Sequence, residues 1–262
     1  MDLVELKATG QIENPNRHPW EQARSVFVAN QIRKRFGAND AMTILDIGCG
    51  DTYVAETLLE DFPNSAFYCI DIAFTPELMA HYSEKYKNTN IHVYTDMNDA
   101  VADIEKEISF ILLLDVVEHI EEDVSFLKQV HQLNHVTENT NLFITVPAFQ
   151  SLFTNHDNLL GHYRRYTNVN LKRTLKSAGF KSDSLGYFFT SLLLPRILEK
   201  AKENMFGIKN DSTDLSVWDK GEGVTSMVKN ILVLDTKITG FFEMFGINII
   251  GLSNYIICKK VG

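Results

Sequence analysis

An apolar segment that runs directly into a turn with two closely spaced glycines constrains this chain more than any other feature. Residues 43–51 read TILDIGCGD, in which Gly48 and Gly50 are separated by one residue. Glycine permits a sharp turn and lets the backbone approach a ligand at positions where a Cβ atom would collide. Residues 52–59 have the pattern of the first turns of a helix. The order of strand, glycine turn and helix predicts a nucleotide-type binding loop.

The glycine spacing argues against a pyrophosphate-binding version of this loop. The dinucleotide fingerprint G-x-G-x-x-G needs a third glycine, and this chain has Tyr53 at that position. The single Tyr-x-x-x-Lys spacing in the chain, Tyr255 to Lys259, falls in the predicted last strand, and Tyr82 is followed four residues later by Tyr86. A nicotinamide-dependent oxidoreductase is therefore an alternative that the sequence disfavours. A cofactor-binding protein without catalysis is a further alternative.

Four short apolar segments each finish in an aspartate. The apolar runs lie at residues 43–47, 66–70, 91–94 and 110–114, and the acids are Asp46, Asp71, Asp96 and Asp115. Because the carboxyl ends of parallel strands meet at one edge of a sheet, we expect these carboxylates to line one crevice. Any single acid at a strand end is explained equally well as a helix cap. The joint pattern favours a cofactor site.

These motifs resemble those of class I S-adenosylmethionine-dependent methyltransferases, over about residues 20 to 190. The resemblance implies an α/β fold with a doubly wound, mostly parallel seven-stranded sheet, and S-adenosylmethionine as cofactor. It implies the following cofactor-binding residues: Asp46, Gly48, Cys49, Gly50, Asp71, Ile72, Asp96, Met97 and Asp115. By the same resemblance, Asp46 and the glycine loop face the methionine end, and Asp71 accepts hydrogen bonds from both ribose hydroxyls. Asp96 with Met97 would meet the adenine, and Asp115 would lie near the methyl-transfer centre.

The alternation of apolar and helical segments predicts how the chain is organised. An N-terminal helical cap is expected at residues 1–37 and the cofactor-binding core at residues 38–190. A helical insertion at residues 191–245 would separate the core from the last strand, in residues 246–262. Within this plan, helices are expected at residues 20–36, 121–133 and 168–178, a sixth strand at 185–189 and the last strand at 255–259.

Charge and cysteine content narrow the partners and the compartment. The net charge of −9 argues against a nucleic-acid partner bound by a broad basic face, because phosphate contacts need lysine and arginine. Cys49, Cys69 and Cys258 have unrelated spacings, which indicates reduced thiols rather than a disulfide framework. With no visible signal peptide, the sequence predicts a cytoplasmic protein that acts on a small molecule.

One C-terminal segment raises the question of a membrane span. Residues 238–257 have about the right length, but Glu243, Asn248 and Asn254 lie within them. A buried helix followed by a strand explains the segment better, so no transmembrane segment is predicted. A peripheral contact with lipid, or an apolar substrate, is left open.

The segment after the fifth predicted strand carries the candidate substrate residues. It contains His156 and Asp157, followed by the run GHYRRY at residues 161–166. A long connection at the carboxyl edge of a parallel sheet faces the active-site crevice. The candidate substrate residues are His162, Arg164, Arg165 and Tyr166. The paired arginines can bind a phosphate or carboxylate; alternatively, they pair with neighbouring acids and hold the loop.

This run also resembles small-molecule methyltransferases of bacterial glycan and lipid-linked saccharide assembly. That resemblance implies an acceptor that is a saccharide or related metabolite, with or without a lipid. Methyl transfer depends mainly on placing the acceptor about 3–3.5 Å from the methyl group. An alcohol acceptor also needs a base, since its hydroxyl must lose a proton. The candidate catalytic residues are Asp115, His119 and His156, with Glu118 as a further candidate base.

The motif formed by Asp115, Glu118 and His119 permits a metal-dependent alternative. It is similar to the acid-x-x-Glu-His motif of quinone-biosynthesis O-methyltransferases and small-RNA 2′-O-methyltransferases, which bind a metal there. A capping box with Asp115 as the cap and Glu118 folding back explains the spacing equally well. The prediction is therefore a methyltransferase of a small-molecule hydroxyl without a metal, and a metal-assisted O-methyltransferase is the alternative.

Overall fold

The glycine turn joins the first strand to the next helix of an α/β core in a computed structural model that describes residues 17–207 and 218–261. The predicted N-terminal cap therefore lies partly outside the described residues. The strands are β1 Thr43–Ile47, β2 Ala66–Ile70, β3 Ile91–Tyr94, β4 Phe110–Leu114, β5 Asn141–Pro147, β6 Phe180–Phe188 and β7 Ser253–Lys260. They form one sheet in the order β3-β2-β1-β4-β5-β7-β6. Strands β1 to β5 pair in parallel, whereas β7 runs antiparallel to both β5 and β6. The predicted seven-stranded, mostly parallel sheet is confirmed.

Helices cover both faces of this sheet. They are α1 Pro19–Arg33, α2 Tyr53–Asp61, α3 Pro76–Tyr86, α4 Met97–Ala102, α5 Asp123–Gln132, α6 Asn155–Leu159, α7 Asn168–Ser177, α8 Leu193–Phe206 and α9 Glu222–Glu243. One hydrophobic cluster joins the sheet to α1, α2, α3 and α9, and the other joins it to α4, α5 and α7. Side chains alternate between the faces along a strand, so Ile44 packs in the first cluster and Leu45 in the second. The two buried faces explain the apolar runs of the central strands.

Most predicted boundaries agree with the structure, and the sixth strand is the main exception. It begins at Phe180, five residues before the predicted start at residue 185. Its first half is rich in polar residues (Lys181, Ser182, Asp183 and Ser184) and contains a register shift between Ser182 and Ser184. Because β6 is an edge strand of the sheet, its outer residues meet solvent and need no apolar pattern. The apolar pattern of the sequence therefore predicted only the second half of the strand.

Helices α8 and α9 lie between β6 and β7, the last two strands. Helix α9 packs against α1 and buries Leu232 in the first cluster. Its opposite side exposes apolar residues at alternating spacings of three and four: Val224, Met227, Ile231, Leu234, Ile238 and Phe241. Among the described residues, no helix has the length and apolarity needed to cross a membrane. Residues 238–257 instead contain the end of α9, a connection and the start of β7.

Candidate active site

The four strand-end aspartates lie along the carboxyl edge of the parallel strands. Asp46 lies within β1 and pairs in register with Cys69 of β2 and Leu112 of β4. Asp71, Asp96 and Asp115 directly follow or closely follow the ends of β2, β3 and β4. Hydrogen bonds join the neighbouring connections, from the amides of Gly48 and Cys49 to the carbonyl of Ile70, at 2.8 and 3.1 Å. These bonds hold the connections after β1 and β2 side by side at the carboxyl edge.

The glycine loop has a backbone that requires glycine at its first position. Gly48 has a φ of +74°, and a Cβ atom there would lie 2.6 Å from Cγ2 of Val116. Gly50 also has a positive φ, of +59°, and its amide donates a hydrogen bond to Oδ2 of Asp71 at 2.9 Å. The other carboxylate oxygen of Asp71 accepts from the amide of Ala73 at 2.9 Å. These contacts fix the Asp71 carboxylate against the loop.

Asp46 is the buried acid of the crevice. Its side chain is almost fully buried, and Oδ2 has no hydrogen-bond partner among the residues that the structure describes. Burial raises the pKa of Asp46 from its ordinary value of 3.8 to about 7, with Arg24 opposing the rise and Asp71 adding to it. A buried carboxylate oxygen without a partner suits a cationic ligand group. The methionine ammonium that the resemblance implies at Asp46 is compatible with such an oxygen.

The other end of the crevice is open. Ile72 follows Asp71 with 92% of its surface exposed, so an apolar face is available beside that carboxylate. Asp96 is exposed and acts as the N-cap of α4, where it accepts a hydrogen bond from the Asn98 amide at 2.7 Å. Met97 is half-buried beside it. An exposed isoleucine and a neighbouring acid are compatible with the face and edge of an adenine ring.

Helix α1 supplies an arginine that pairs with one acid of the carboxyl edge. Arg24 forms an ion pair with Asp115, which also accepts a hydrogen bond from Oγ1 of Thr145 at 3.2 Å. The Arg24 guanidinium lies over the Trp20 ring, 4.7 Å from its centroid. Asp115 has a φ of +58°, and the short 3₁₀ turn Val117–His119 has Val116 as its N-cap, without a side-chain cap. The interpretation of Asp115 as a helix cap is therefore wrong.

The connection after β5 is organised by Asp157, which has no solvent exposure. Its carboxylate accepts hydrogen bonds from Nε and Nη2 of Arg165, at 2.7 and 3.0 Å, and from Nη2 of Arg196 in α8, at 3.0 Å. It also bonds Nδ1 of His162 at 2.9 Å and the Thr154 amide at 2.8 Å. Burial alone would raise the pKa of Asp157, but the bonds from His162 and Arg165 outweigh it and hold the pKa well below its ordinary value.

The two arginines of the loop are paired with acids, in the second of the two arrangements that the sequence allowed. Arg165 is buried against Asp157. Arg164 forms an ion pair with Asp123 at 2.9 Å and donates to the carbonyl of Glu121 at 2.6 Å. The hydroxyl of Tyr166 donates to the same Asp123 at 2.7 Å. Arg164 and Tyr166 thereby attach the loop to the start of α5, whereas Arg165 pairs within the loop itself. Neither guanidinium is a vacant anion site.

A cluster of Glu118, His119 and His162 lies next to Asp115. The potential ligand atoms of its three side chains all lie within 4.8 Å of one another. The two imidazole rings meet edge to face, with centroids 4.6 Å apart. Glu118 is fully buried, neither of its carboxylate oxygens has a hydrogen-bond partner among the described residues, and burial, with Asp115 adding, raises its pKa well above its ordinary value.

The third histidine of the prediction, His156, lies on α6 and is half-buried. Burial lowers the pKa of His156, and the nearby Arg196 lowers it further. It is not part of the three-residue cluster. Sequence reasoning missed the roles of Arg24, Asp157 and Arg196, whose partners are up to 91 residues away in the chain. The sequence motif did contain Asp157, but its spacing gave no sign that this acid organises the loop.

A family model described as a methyltransferase domain matches residues 20–185 of the chain. No curated protein matches this chain in sequence. Among solved structures, a protein assigned as a sarcosine dimethylglycine methyltransferase from Galdieria sulphuraria aligns with a TM-score of 0.56 at 14% identity, over 91% of this chain and 85% of that one. A SAM dependent methyltransferase from Archaeoglobus fulgidus aligns with a TM-score of 0.50 at 16% identity, over 90% and 94% of the two chains.

A third similar structure is phosphoethanolamine N-methyltransferase 2 of Haemonchus contortus in complex with S-adenosyl-L-methionine. It aligns with a TM-score of 0.51 at 16% identity, over 89% of this chain and 52% of that chain. At these identities, the three structures show a common fold.

Proposed function

The chain belongs to the methyltransferase-domain family and is an S-adenosylmethionine-dependent methyltransferase, and on this premise we propose that it methylates a hydroxyl group of a small, saccharide-like acceptor. The observation that carries the proposal is the cluster of Glu118, His119 and His162 beside Asp115. A hydroxyl must lose its proton when it attacks a methyl group, whereas a neutral amine attacks before losing one. Imidazoles next to the transfer centre suit the hydroxyl, because they can accept a proton near neutral pH.

The proposed cofactor orientation follows the chemistry of the crevice. The methionine ammonium would contact Asp46, whose Oδ2 lacks a hydrogen-bond partner among the described residues. The ribose hydroxyls would donate to Asp71, which the amides of Gly50 and Ala73 already hold in place. The adenine would lie on the exposed Ile72, with Asp96 and Met97 at its edge. The sulfonium methyl group would then point toward Asp115 and the imidazole cluster.

In the proposed reaction, the acceptor oxygen attacks the methyl carbon in line with the bond from carbon to sulfur. That bond breaks, its electron pair stays on sulfur, and the sulfonium becomes the neutral thioether of S-adenosylhomocysteine. The hydroxyl proton passes to an imidazole nitrogen of the cluster. Most of the rate enhancement would come from holding the two reactants in this geometry. Helix α1, attached to Asp115 through Arg24, would exclude water from the reacting atoms.

An apolar anchor on the acceptor would account for the surface beside the site. Arg196 of α8 binds Asp157 in the loop that carries His162, so α8 begins next to the proposed acceptor position. On either side of this arginine, Leu194, Ile197 and Leu198 expose 63%, 43% and 53% of their surfaces. No residue of α8 is buried. A saccharide linked to a lipid or alkyl chain would place its polar end at the cluster and its chain on α8.

Two matched pairs of acceptors test separately whether a hydroxyl is methylated and whether an apolar chain on the acceptor improves binding. A hexose and the corresponding amino sugar differ in one group, and mass spectrometry with NMR identifies which atom gains the methyl. We expect O-methyl products from both sugars; methylation of the amine at a higher kcat/KM would contradict the hydroxyl proposal. A methyl hexoside and an octyl hexoside share one head group. We expect a lower KM for the octyl compound. Equal KM values for the two hexosides would contradict the proposed apolar anchor.

A double variant tests whether the apolar chain of the acceptor binds to α8. Leu194→Ser with Leu198→Ser should raise the KM of the octyl hexoside roughly tenfold, because two leucines lose their apolar contact with the chain. The KM of the methyl hexoside should stay unchanged. Val169→Ser is the control, because Val169 is equally exposed, at 66%, but lies on α7.

A further inference from the structure

We propose that Glu118, His119 and His162 bind a divalent transition-metal cation at the acceptor end of the crevice. The ligand set joins two adjacent residues of the turn after β4 to one residue of the loop after β5. The inference deepens the proposed function, since the cation would lie where the acceptor hydroxyl is expected. Cation binding itself requires neither the cofactor nor an acceptor, so it can be measured independently of methyl transfer.

Glu118 supplies the first argument. Its side chain has no solvent exposure, and both carboxylate oxygens lack a hydrogen-bond partner among the described residues. Buried polar groups in proteins are almost always hydrogen-bonded, and buried charges are paired or coordinate metals. A carboxylate that is enclosed beside two imidazoles but bonded to neither has the position of a metal ligand.

His162 supplies the second argument, because its ring orientation is fixed by a buried acid. Nδ1 of His162 lies 2.9 Å from Oδ1 of Asp157, and Asp157 is held in turn by Arg165 and Arg196. A carboxylate at Nδ1 places the proton there and leaves Nε2 as a lone-pair donor. Metal-binding histidines are commonly held in this way by a carboxylate behind the ring. The loop therefore presents a pre-oriented imidazole to the crevice.

The spacing of the three side chains fits a common ion. Ligand atoms at about 2.1 Å from one tetrahedral ion lie roughly 3.4 Å apart. The candidate ligand atoms already lie within 4.8 Å of one another, so closure around an ion needs side-chain shifts of about 1 Å. The edge-to-face arrangement of the two imidazoles allows this adjustment by small rotations of the rings.

Asp115 stands beside this site without joining it. Its carboxylate is engaged by Arg24 and by Thr145, so the cluster differs from the Asp115, Glu118 and His119 set that the sequence spacing suggests. His162 replaces the aspartate as the third ligand.

The donor types identify the class of metal. One carboxylate and two imidazoles suit zinc, manganese, iron(II) or cobalt(II), whereas calcium needs six to eight oxygen ligands. Three protein ligands leave open positions on the ion. An acceptor hydroxyl bound there would become more acidic. With the cation bound, its proton would leave to water and the imidazoles would serve as ligands; the proton transfer to an imidazole described above applies to the site without a cation.

Titration calorimetry of the full chain, stripped of metal with a chelator, tests the site with Zn²⁺, Mn²⁺, Co²⁺ and Mg²⁺ in the absence of cofactor. We expect one equivalent of a transition metal to bind with micromolar affinity, and Mg²⁺ to bind far more weakly. Glu118→Gln should lower the affinity at least a hundredfold, and His119→Gln or His162→Gln at least tenfold. His92→Gln is the matched control, since His92 is exposed on β3, and it should bind the metal as the unchanged protein does.

Glu118→Gln keeps the test decisive even if a histidine variant fails to fold. The amide has nearly the shape of the carboxyl group and cannot ionise, so this variant should unfold at the same or a higher temperature without metal. It should then lose the rise in melting temperature that the metal gives the unchanged protein. Binding weaker than millimolar for every metal, or equal binding by Glu118→Gln, would overturn the proposal. Either result leaves the acceptor assays to judge the methyl-transfer proposal separately.

Discussion

Asp157 accepts hydrogen bonds from two nitrogens of Arg165, from Nε to Oδ1 at 2.7 Å and from Nη2 to Oδ2 at 3.0 Å, in a position closed to solvent. Paired bonds of this kind fix the geometry of both groups. Because the same carboxylate also binds His162 and Arg196, it connects the loop after β5 to helix α8. The proposed acceptor site therefore rests on a buried ion network rather than on a flexible loop.

Replacement of Asp157 by asparagine should destabilise the protein strongly. The change leaves the buried Arg165 without its acid and leaves Arg196 paired with Glu199 alone. Removal of one member of a buried ion network costs about 3–5 kcal/mol. Denaturation by urea measures the free energy of unfolding. Asp61→Asn is the control, because Asp61 pairs with Arg33 at the surface and such pairs contribute under about 1 kcal/mol. Similar losses of unfolding free energy in the two variants would show that the buried network contributes no more than a surface ion pair.

The raised pKa of Asp46 predicts how the cofactor-free protein responds to pH. Its pKa is about 7 in the folded protein, against an ordinary value of 3.8, chiefly because it is buried. The folded state therefore keeps a proton that the unfolded chain releases above about pH 4. Stability from this group is full below that pH and is lost as the pH rises to about 7, by about 4 kcal/mol in all. Asp46→Asn should flatten this slope in urea denaturation curves between pH 4 and 7.

Cofactor binding should release a proton from the same residue. If the methionine ammonium contacts Asp46, the positive charge favours the ionised carboxylate, so binding of S-adenosylhomocysteine near pH 6 should displace its proton. Calorimetry in two buffers with different ionisation enthalpies measures this release. We expect a large fraction of one proton for the unchanged protein and a much smaller release for Asp46→Asn. Equal proton release would place the ammonium elsewhere.

Asp71→Ala should weaken cofactor binding by about ten- to a hundredfold, because two ribose hydroxyls lose a charged acceptor. The change also removes the acceptor for the Gly50 and Ala73 amides, which loosens the glycine loop. Titration with S-adenosylhomocysteine measures the affinity, and circular dichroism checks that the variant is folded. Asp40→Ala is the control, since Asp40 accepts a hydrogen bond in an exposed turn. Unchanged affinity in a folded Asp71→Ala protein would remove the ribose assignment.

Gly48→Ala tests the shape of the loop. The new methyl group would meet Val116 at 2.6 Å, and the φ of +74° is unfavourable for alanine. We expect cofactor affinity to fall more than tenfold, and the addition of Val116→Ala to recover a part of it, since the clash disappears while the backbone strain remains. Gly221→Ala is the control, because nothing lies within 4 Å of its added Cβ. Full recovery in the double variant would mean that the backbone strain is negligible.

Local patterns in the sequence predicted the core of the fold closely. Strands β2, β3 and β4 begin and end at the predicted residues. The fully buried β4 is a continuous apolar run that Asp115 terminates, and β3, although it is the other edge strand, has polar residues directly before and after it. The edge strand β6 was predicted too short for the opposite reason, since solvent on its outer side permits the polar residues Lys181 to Ser184. The positions of the acids in the crevice followed from the rule that parallel strands share one carboxyl edge.

The sequence by itself therefore determined the sheet, the glycine loop and the gathering of Asp46, Asp71, Asp96 and Asp115 on one side, because each depends on neighbours in the chain. The tertiary structure alone decided which charges pair. Arg165 could face a substrate or an acid, and it binds the buried Asp157; Glu118 could fold back on a helix, and it lies beside His162, 44 residues further along. Such choices depend on distances of a few ångströms between distant segments and on the exclusion of water, and no local spacing encodes either.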